Sequence, residues 1–199
     1  MDERTVSSEL KRYFHSRGLD SIGKFDVFNH LDDSDERTFI IDFAVGPKAT
    51  KGRRTSDQEH IDLTRFQEAG TRIDPVVKGL MHICEFPSAE DTIGRRWKEL
   101  ANPNPMVGLA VEIENAKTKY FLGSLLAASA VGRWGLLIVP DSLETDRWIQ
   151  TIRRIIHKGS LSPIPSNIVI VKWPQLEIHI GQAATEYMDI SPQVTGYAS

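Results

Sequence analysis

The run from Met106 to Val139, MVGLAVEIENAKTKYFLGSLLAASAVGRWGLLIV, constrains the fold more than any other stretch. In 107–114 the side chains alternate. Val107, Leu109, Val111 and Ile113 share one face, and Gly108, Ala110, Glu112 and Glu114 share the other. One face is greasy; the opposite face is small and then acidic. Residues 118–131 follow with a helical pattern, with Thr118 as a possible N-cap and Gly132 just past the end. Trp134–Val139 is apolar on both faces, as in a covered parallel strand. Open α/β sheets place ligands at the carboxyl ends of such strands, where Glu112 and Glu114 fall.

The remaining chain fits around this unit. Ser7–Arg17 reads as an amphipathic helix with Leu10, Tyr13 and Phe14 on one side. Strand-like runs follow at Lys24–Leu31 and Arg37–Val45, separated by the acidic turn DDSDE. That turn lacks the glycine and distal glutamate of an EF-hand. In the second run, Phe39, Ile41, Phe43 and Val45 are expected on one face and Ile40, Asp42 and Ala44 on the other. Residues 47–59 form a polar loop carrying Lys48, Lys51, Arg53 and Arg54. Such bases either decorate a surface or meet phosphates beside a nucleic-acid cleft.

Helical patterns then cover 57–69, 74–83 and 89–101. Helix 143–158 carries Trp148, Ile149, Ile152, Ile155 and Ile156 at helical spacing, and 167–173 reads as a buried strand. Strands 107–114, 134–139 and 167–173, joined by helical crossovers, are expected to be parallel. Leu176–Ile180 reads as a further strand, with a poorly ordered end in the tail 181–199. The expected class is α/β: one domain over 1–199, a mixed central sheet flanked by helices, and a helical insertion at 57–105.

Bulk properties narrow the function. The net charge is −3, so nucleic-acid binding would have to rest on local patches. A single cysteine, Cys84, excludes an internal disulfide and fits a reducing compartment. The start, MDERTVSSELKRYF, has no apolar signal core, and no stretch is long enough to span a bilayer. A cytoplasmic protein without a membrane partner is expected. The six histidines show no ligand spacing such as H-x-x-x-H. There is no G-x-S-x-G elbow, P-loop or Rossmann glycine pattern.

The carboxylates remain as the chemistry. Glu112 and Glu114 share a strand face, and Asp42 on a neighbouring strand could complete a hard-oxygen site suited to Mg²⁺. The plainer reading is that both glutamates face solvent at a strand end.

The run AVEIENAKTKYFLGSLLAASAVGRWGLLIVP resembles the core of the PD-(D/E)XK nuclease superfamily, the restriction-endonuclease-like fold. There a strand ends in E-x-K, or less often E-x-E, a helix packs behind it, and a hydrophobic strand follows. The helical lead and two-strand start also match. The resemblance implies a Mg²⁺- or Mn²⁺-dependent endodeoxyribonuclease, a hydrolase of DNA phosphodiester bonds, often dimeric. It implies Asp42, Glu112 and Glu114 as metal ligands. Glu112 and Glu114 would be catalytic, and Lys119 would supply the charge that Glu114 does not. The family's proline-aspartate corresponds here to Pro103-Asn104, which lacks the acid, so Asp42 takes its place; Asp74, more readily a helix cap, is a weaker candidate. That departure keeps open an inactive relative serving as a binding or regulatory module.

Overall fold

A computed structural model of the chain describes residues 2–26, 40–48, 72–87, 100–102, 105–114, 118–157 and 167–190. Helix α1 (Glu3–Ser16) is capped by Asp2, whose carboxylate accepts from the amides of Arg4 and Thr5. Strands β1 (Ser21–Asp26) and β2 (Ile40–Lys48) follow, then helix α2 (72–81). The expected unit comes next: β3 (Val107–Ile113), α3 (Thr118–Val131) and β4 (Gly132–Val139). Helix α4 (Leu143–His157), β5 (Ile168–Lys172) and α5 (Trp173–Ile190) complete the described chain.

The sheet has five strands in the order β1-β2-β3-β4-β5. β1 pairs antiparallel with β2, and β2 with β3; β3, β4 and β5 are parallel. This is the expected antiparallel start and parallel set, with the right-handed crossover logic of α/β folds behind it.

Apolar residues cover both faces of the sheet. On one, Leu109, Val111, Trp134, Leu136 and Val169 meet Leu10 and Phe14 of α1, Val77 and Leu80 of α2, and Leu176 of α5. On the other, Ala110, Leu137, Val139 and Ile170 meet Phe121, Leu125 and Ala128 of α3 and Ile149 and Ile152 of α4. The layers are therefore helix, sheet, helix. Gly135 sets the closeness of α3: a β-carbon there would sit 2.9 Å from the carbonyl carbon of Ala128. Gly46, at φ +80, lets β2 turn against α2, where a β-carbon would strike Ile73.

Two expectations are corrected. Leu176–Ile180 lies within a helix, not a strand, and the helix runs on to Ile190, into the tail; the tail's end, 191–199, lies outside the described residues. The run LEIHI fits both periods, but Leu176 is buried and Ile180 nearly so, while Ile178 is exposed, which is the i, i+4 pattern. Pro174 in the first turn suits a helix start. Ile41 does not share a face with Phe43 and Val45 either; it packs with Phe25 and Ala44 in the opposite layer. The alternation breaks where Lys24 of β1 takes the left-handed conformation, at φ +49. Within the expected insertion, α2 and 100–102 are described, whereas 57–71 and 88–99 lie outside the described residues.

Candidate functional site

The site grows from the carboxyl end of β3. The register pairs Phe43 with Val111 and Ala44 with Ala110, which sets Asp42 opposite Glu112. Glu112 lies between Val111 and Ile113 of the other layer and so shares the face of Ala110, as the alternation predicts; in β2 the alternation is broken at Ile41, and Asp42 is located instead by its bond to Ile113. The Asp42 carboxylate reaches across to the amide of Ile113, the residue after Glu112, at 2.7 Å.

Asp42 is held at both oxygens. Its Oδ2 accepts from the backbone amide of Ile113 at 2.7 Å, so the side chain closes the β2–β3 ladder in place of a backbone carbonyl. Its Oδ1 accepts from the Lys24 ammonium. Lys24 also reaches Oε1 of Glu3, at 2.9 Å, on the first turn of α1. Flanking pairs Gly23–Phe43 and Phe25–Ile41 set Lys24 across from Asp42. The hydrogen bond to Asp42 raises the Lys24 ammonium above its usual range, so it stays charged. A left-handed backbone at a non-glycine residue is unfavourable by about 1 kcal/mol, and such strain concentrates at functional positions.

Burial pushes Glu112 up to about 8, and the charge of Asp42 and the contact with its carboxyl add to the rise. At neutral pH Glu112 keeps its proton and can donate it to Asp42 in a hydrogen bond.

Glu114 lies one residue past the end of β3. Its amide donates to the carbonyl of Ile138 at 2.9 Å, and its Oε2 accepts from Ser124 Oγ of α3 at 3.0 Å. It also lines a shallow cleft with Phe121, Pro140, Ser142, Thr145 and Trp148. The cleft's volume is about 10 Å³, room for roughly one water molecule. Two of the three proposed metal-binding acids, Asp42 and Glu112, therefore stand opposite each other on adjacent strands, while Glu114 is turned toward α3. Among the described residues no group of three or more His, Cys, Asp or Glu side chains is arranged to hold a metal ion.

Asp74 belongs to a different place. It sits within α2, and its Oδ1 accepts from Trp134 Nε1 at 3.0 Å, on the sheet face opposite the acid pair. Lys119 lies in the first turn of α3, and Lys48 ends β2; their side chains, together with Lys51, Arg53, Arg54 and Asn104, lie outside the described residues.

Sequence reasoning missed Lys24 and Glu3. Lys24 carries no motif; only pairing the two early strands across the acidic turn would have brought it near Asp42. Glu3 lies before the expected helix start at Ser7, whereas in the structure it stands in the first turn of α1.

Further along the same sheet edge, Lys172 at the end of β5 meets Asp141 and Asp146, each at 2.8 Å. No helix among the described residues is long and apolar enough to cross a membrane. No family model matches the chain, and neither curated proteins nor solved structures give a match.

Proposed function

We propose that the chain is a metal-dependent nuclease that cleaves DNA phosphodiester bonds, with Asp42 and Glu112 at its centre. The observation that carries this reading is the placement of Asp42 opposite Glu112 on adjacent strands, with the Asp42 carboxylate drawn to the Ile113 amide beside it. Desolvating two acids against each other is unfavourable unless a cation or a reaction uses them. The order of elements supports the same reading. A helix leads, two antiparallel strands follow, an E-x-E strand ends at the acids, and a helix and a hydrophobic strand come after it. This is the arrangement expected of a restriction-endonuclease-like core.

The donor set fits Mg²⁺, or Mn²⁺ in its place. Mg²⁺ is commonly held by one or two carboxylates, with waters and phosphate oxygens completing its shell. Asp42 and Glu112 would hold it, and when bound it supplies charge neutralisation at the scissile phosphate. The chain's own groups do the rest. The Ile113 amide fixes the orientation of Asp42. Glu114, which Ser124 holds toward α3, is proposed to turn back to Glu112 and take a proton from an attacking water. Lys119, in the first turn of α3, and the bases Lys48, Lys51, Arg53 and Arg54 are proposed to meet phosphates.

The test is incubation of the purified chain with supercoiled, linear and single-stranded DNA in Mg²⁺ or Mn²⁺. Nicking or cutting is expected in the wild type and not in Glu112→Gln. Absence of cleavage by the wild type in every combination, RNA included, overturns the catalytic reading.

One observation favours a second reading, an inactive relative that serves as a binding or regulatory module. Both oxygens of Asp42 are already engaged by the chain itself, through Lys24 and Ile113. Mn²⁺-independent binding of DNA without cleavage is the result that selects it.

A further inference from the structure

We infer that Lys24 is a tethered competitor for the cation site, so that a divalent ion reaches Asp42 only by displacing the Lys24 ammonium. This inference rests on the metal-dependent reading and concerns how the same site is regulated.

Three independent features converge on Lys24. Its ammonium is paired with Asp42 Oδ1, the oxygen left over once Oδ2 is fixed by the Ile113 amide. A cation approaching Asp42 must therefore contend with a positive charge already in contact. Lys24 also has an alternative partner, Glu3, at 2.9 Å from the same ammonium nitrogen. Leaving Asp42 does not strand the charge, because Glu3 can keep it. Lastly, the side chain is 65% exposed while that of Asp42 is 15% exposed. The lysine is thus the movable member of the pair, with a flexible four-carbon stem, and the aspartate the fixed one.

The backbone is consistent with this arrangement. The left-handed φ of Lys24 falls where β1 faces Asp42. The contact also separates this site from an ordinary surface ion pair, since one partner is fixed by a backbone amide and the other has two acids to choose between.

The test is a Mn²⁺ titration of the full chain by calorimetry at low ionic strength. Wild type, Lys24→Met and Lys24→Arg are compared, with thermal melts recorded alongside. Lys24→Met is expected to bind Mn²⁺ roughly three- to fivefold more tightly than wild type, the upper end of the scale of one partly exposed ion pair. Lys24→Arg, which keeps the charge, is expected to stay within about twofold of wild type. Lys24→Gly carries the same expectation as Lys24→Met and suits φ +49 without strain, so it serves if the methionine variant does not fold. Equal or weaker Mn²⁺ binding in both neutral variants overturns the inference; if Mn²⁺-dependent cleavage persists, the nuclease reading stands. Absence of Mn²⁺ binding in every variant overturns both.

Discussion

The Asp42 carboxylate on β2 accepts from the backbone amide of Ile113 on β3 at 2.7 Å, one residue past Glu112, and its charge adds to the burial that lifts Glu112 above the usual carboxylate range. A carboxyl held protonated by folding ties stability to pH. Glu112 rises from an ordinary 4.5 to about 8 in the fold. The folded state then binds a proton that the unfolded state has released between these values. The stability from this proton is fully present below about pH 4.5 and is lost as pH rises through about 8.

Glu112→Gln keeps the shape and a donor to Asp42 but cannot ionise. The variant is expected to match wild type near pH 5 and to exceed it at pH 9. The gap should be on the order of 4 kcal/mol, or roughly 8–16 °C in melting temperature. Thermal melts of both proteins across this range check it. A constant difference between the two curves would sink the assignment of the proton to Glu112.

Asp42 is expected to be structural as well as functional. Asp42→Ala leaves the Ile113 amide, in a nearly buried residue, without its acceptor. A loss of about 1–3 kcal/mol in chemical denaturation should follow. Asp42→Asn keeps an acceptor and should lose less. The asparagine variant also removes the charge that helps raise Glu112, so the carbon-13 titration of the Glu112 carboxyl should move to lower pH. No movement would show that burial alone sets the Glu112 proton.

Much of this fold was legible because its central residues carry unambiguous patterns. Val107, Leu109 and Val111 alternate with Gly108 and Ala110, and α3 begins at the expected Thr118 and ends at Val131. Leu176–Ile180 was not legible, because alternate apolar residues and an i, i+4 pair look alike over five positions. The site was half legible. Glu112 follows from strand alternation, and the placement of Asp42 opposite it follows from register. Lys24 does not follow from either, since its contribution depends on a left-handed backbone inside a strand. Glu114 sits beyond the last strand residue, where alternation stops predicting direction, and a helix hydroxyl decides its orientation.

Cys84 offers a check on the chemistry away from the acids. Burial pushes its thiol up to about 11, and its Sγ lies 3.3 Å from the Met81 carbonyl oxygen and 3.2 Å from that of Pro87. At pH 8 roughly one thiol in a thousand is then ionised, and the thiolate is the reactive form. Labelling by a maleimide is expected to be slow in the native chain and to speed up at least tenfold in guanidinium chloride. Equal rates in the two conditions would mean that Cys84 is not protected by the fold.

Asp74 and Trp134 separate stability from function. The Trp134 indole is fully buried, and its Nε1–H donates to Asp74 at 3.0 Å; Arg133 Nε lies 3.5 Å from the same oxygen. Asp74→Ala leaves the buried N–H without this acceptor and removes the carboxylate facing Arg133. A loss of about 1–3 kcal/mol is expected, seen as a lower denaturation midpoint with an unchanged slope. Asp74→Asn can still accept from the indole and should retain most of that stability. Trp134 faces the α1, α2 and α5 side of the sheet, whereas Ala110, the face-mate of Glu112, packs toward α3. Mn²⁺ affinity and DNA cleavage should therefore be unchanged in both variants at temperatures where they remain folded. A selective loss of metal binding in folded Asp74→Asn would instead bring Asp74 into the site and displace Asp42 from the role given to it here.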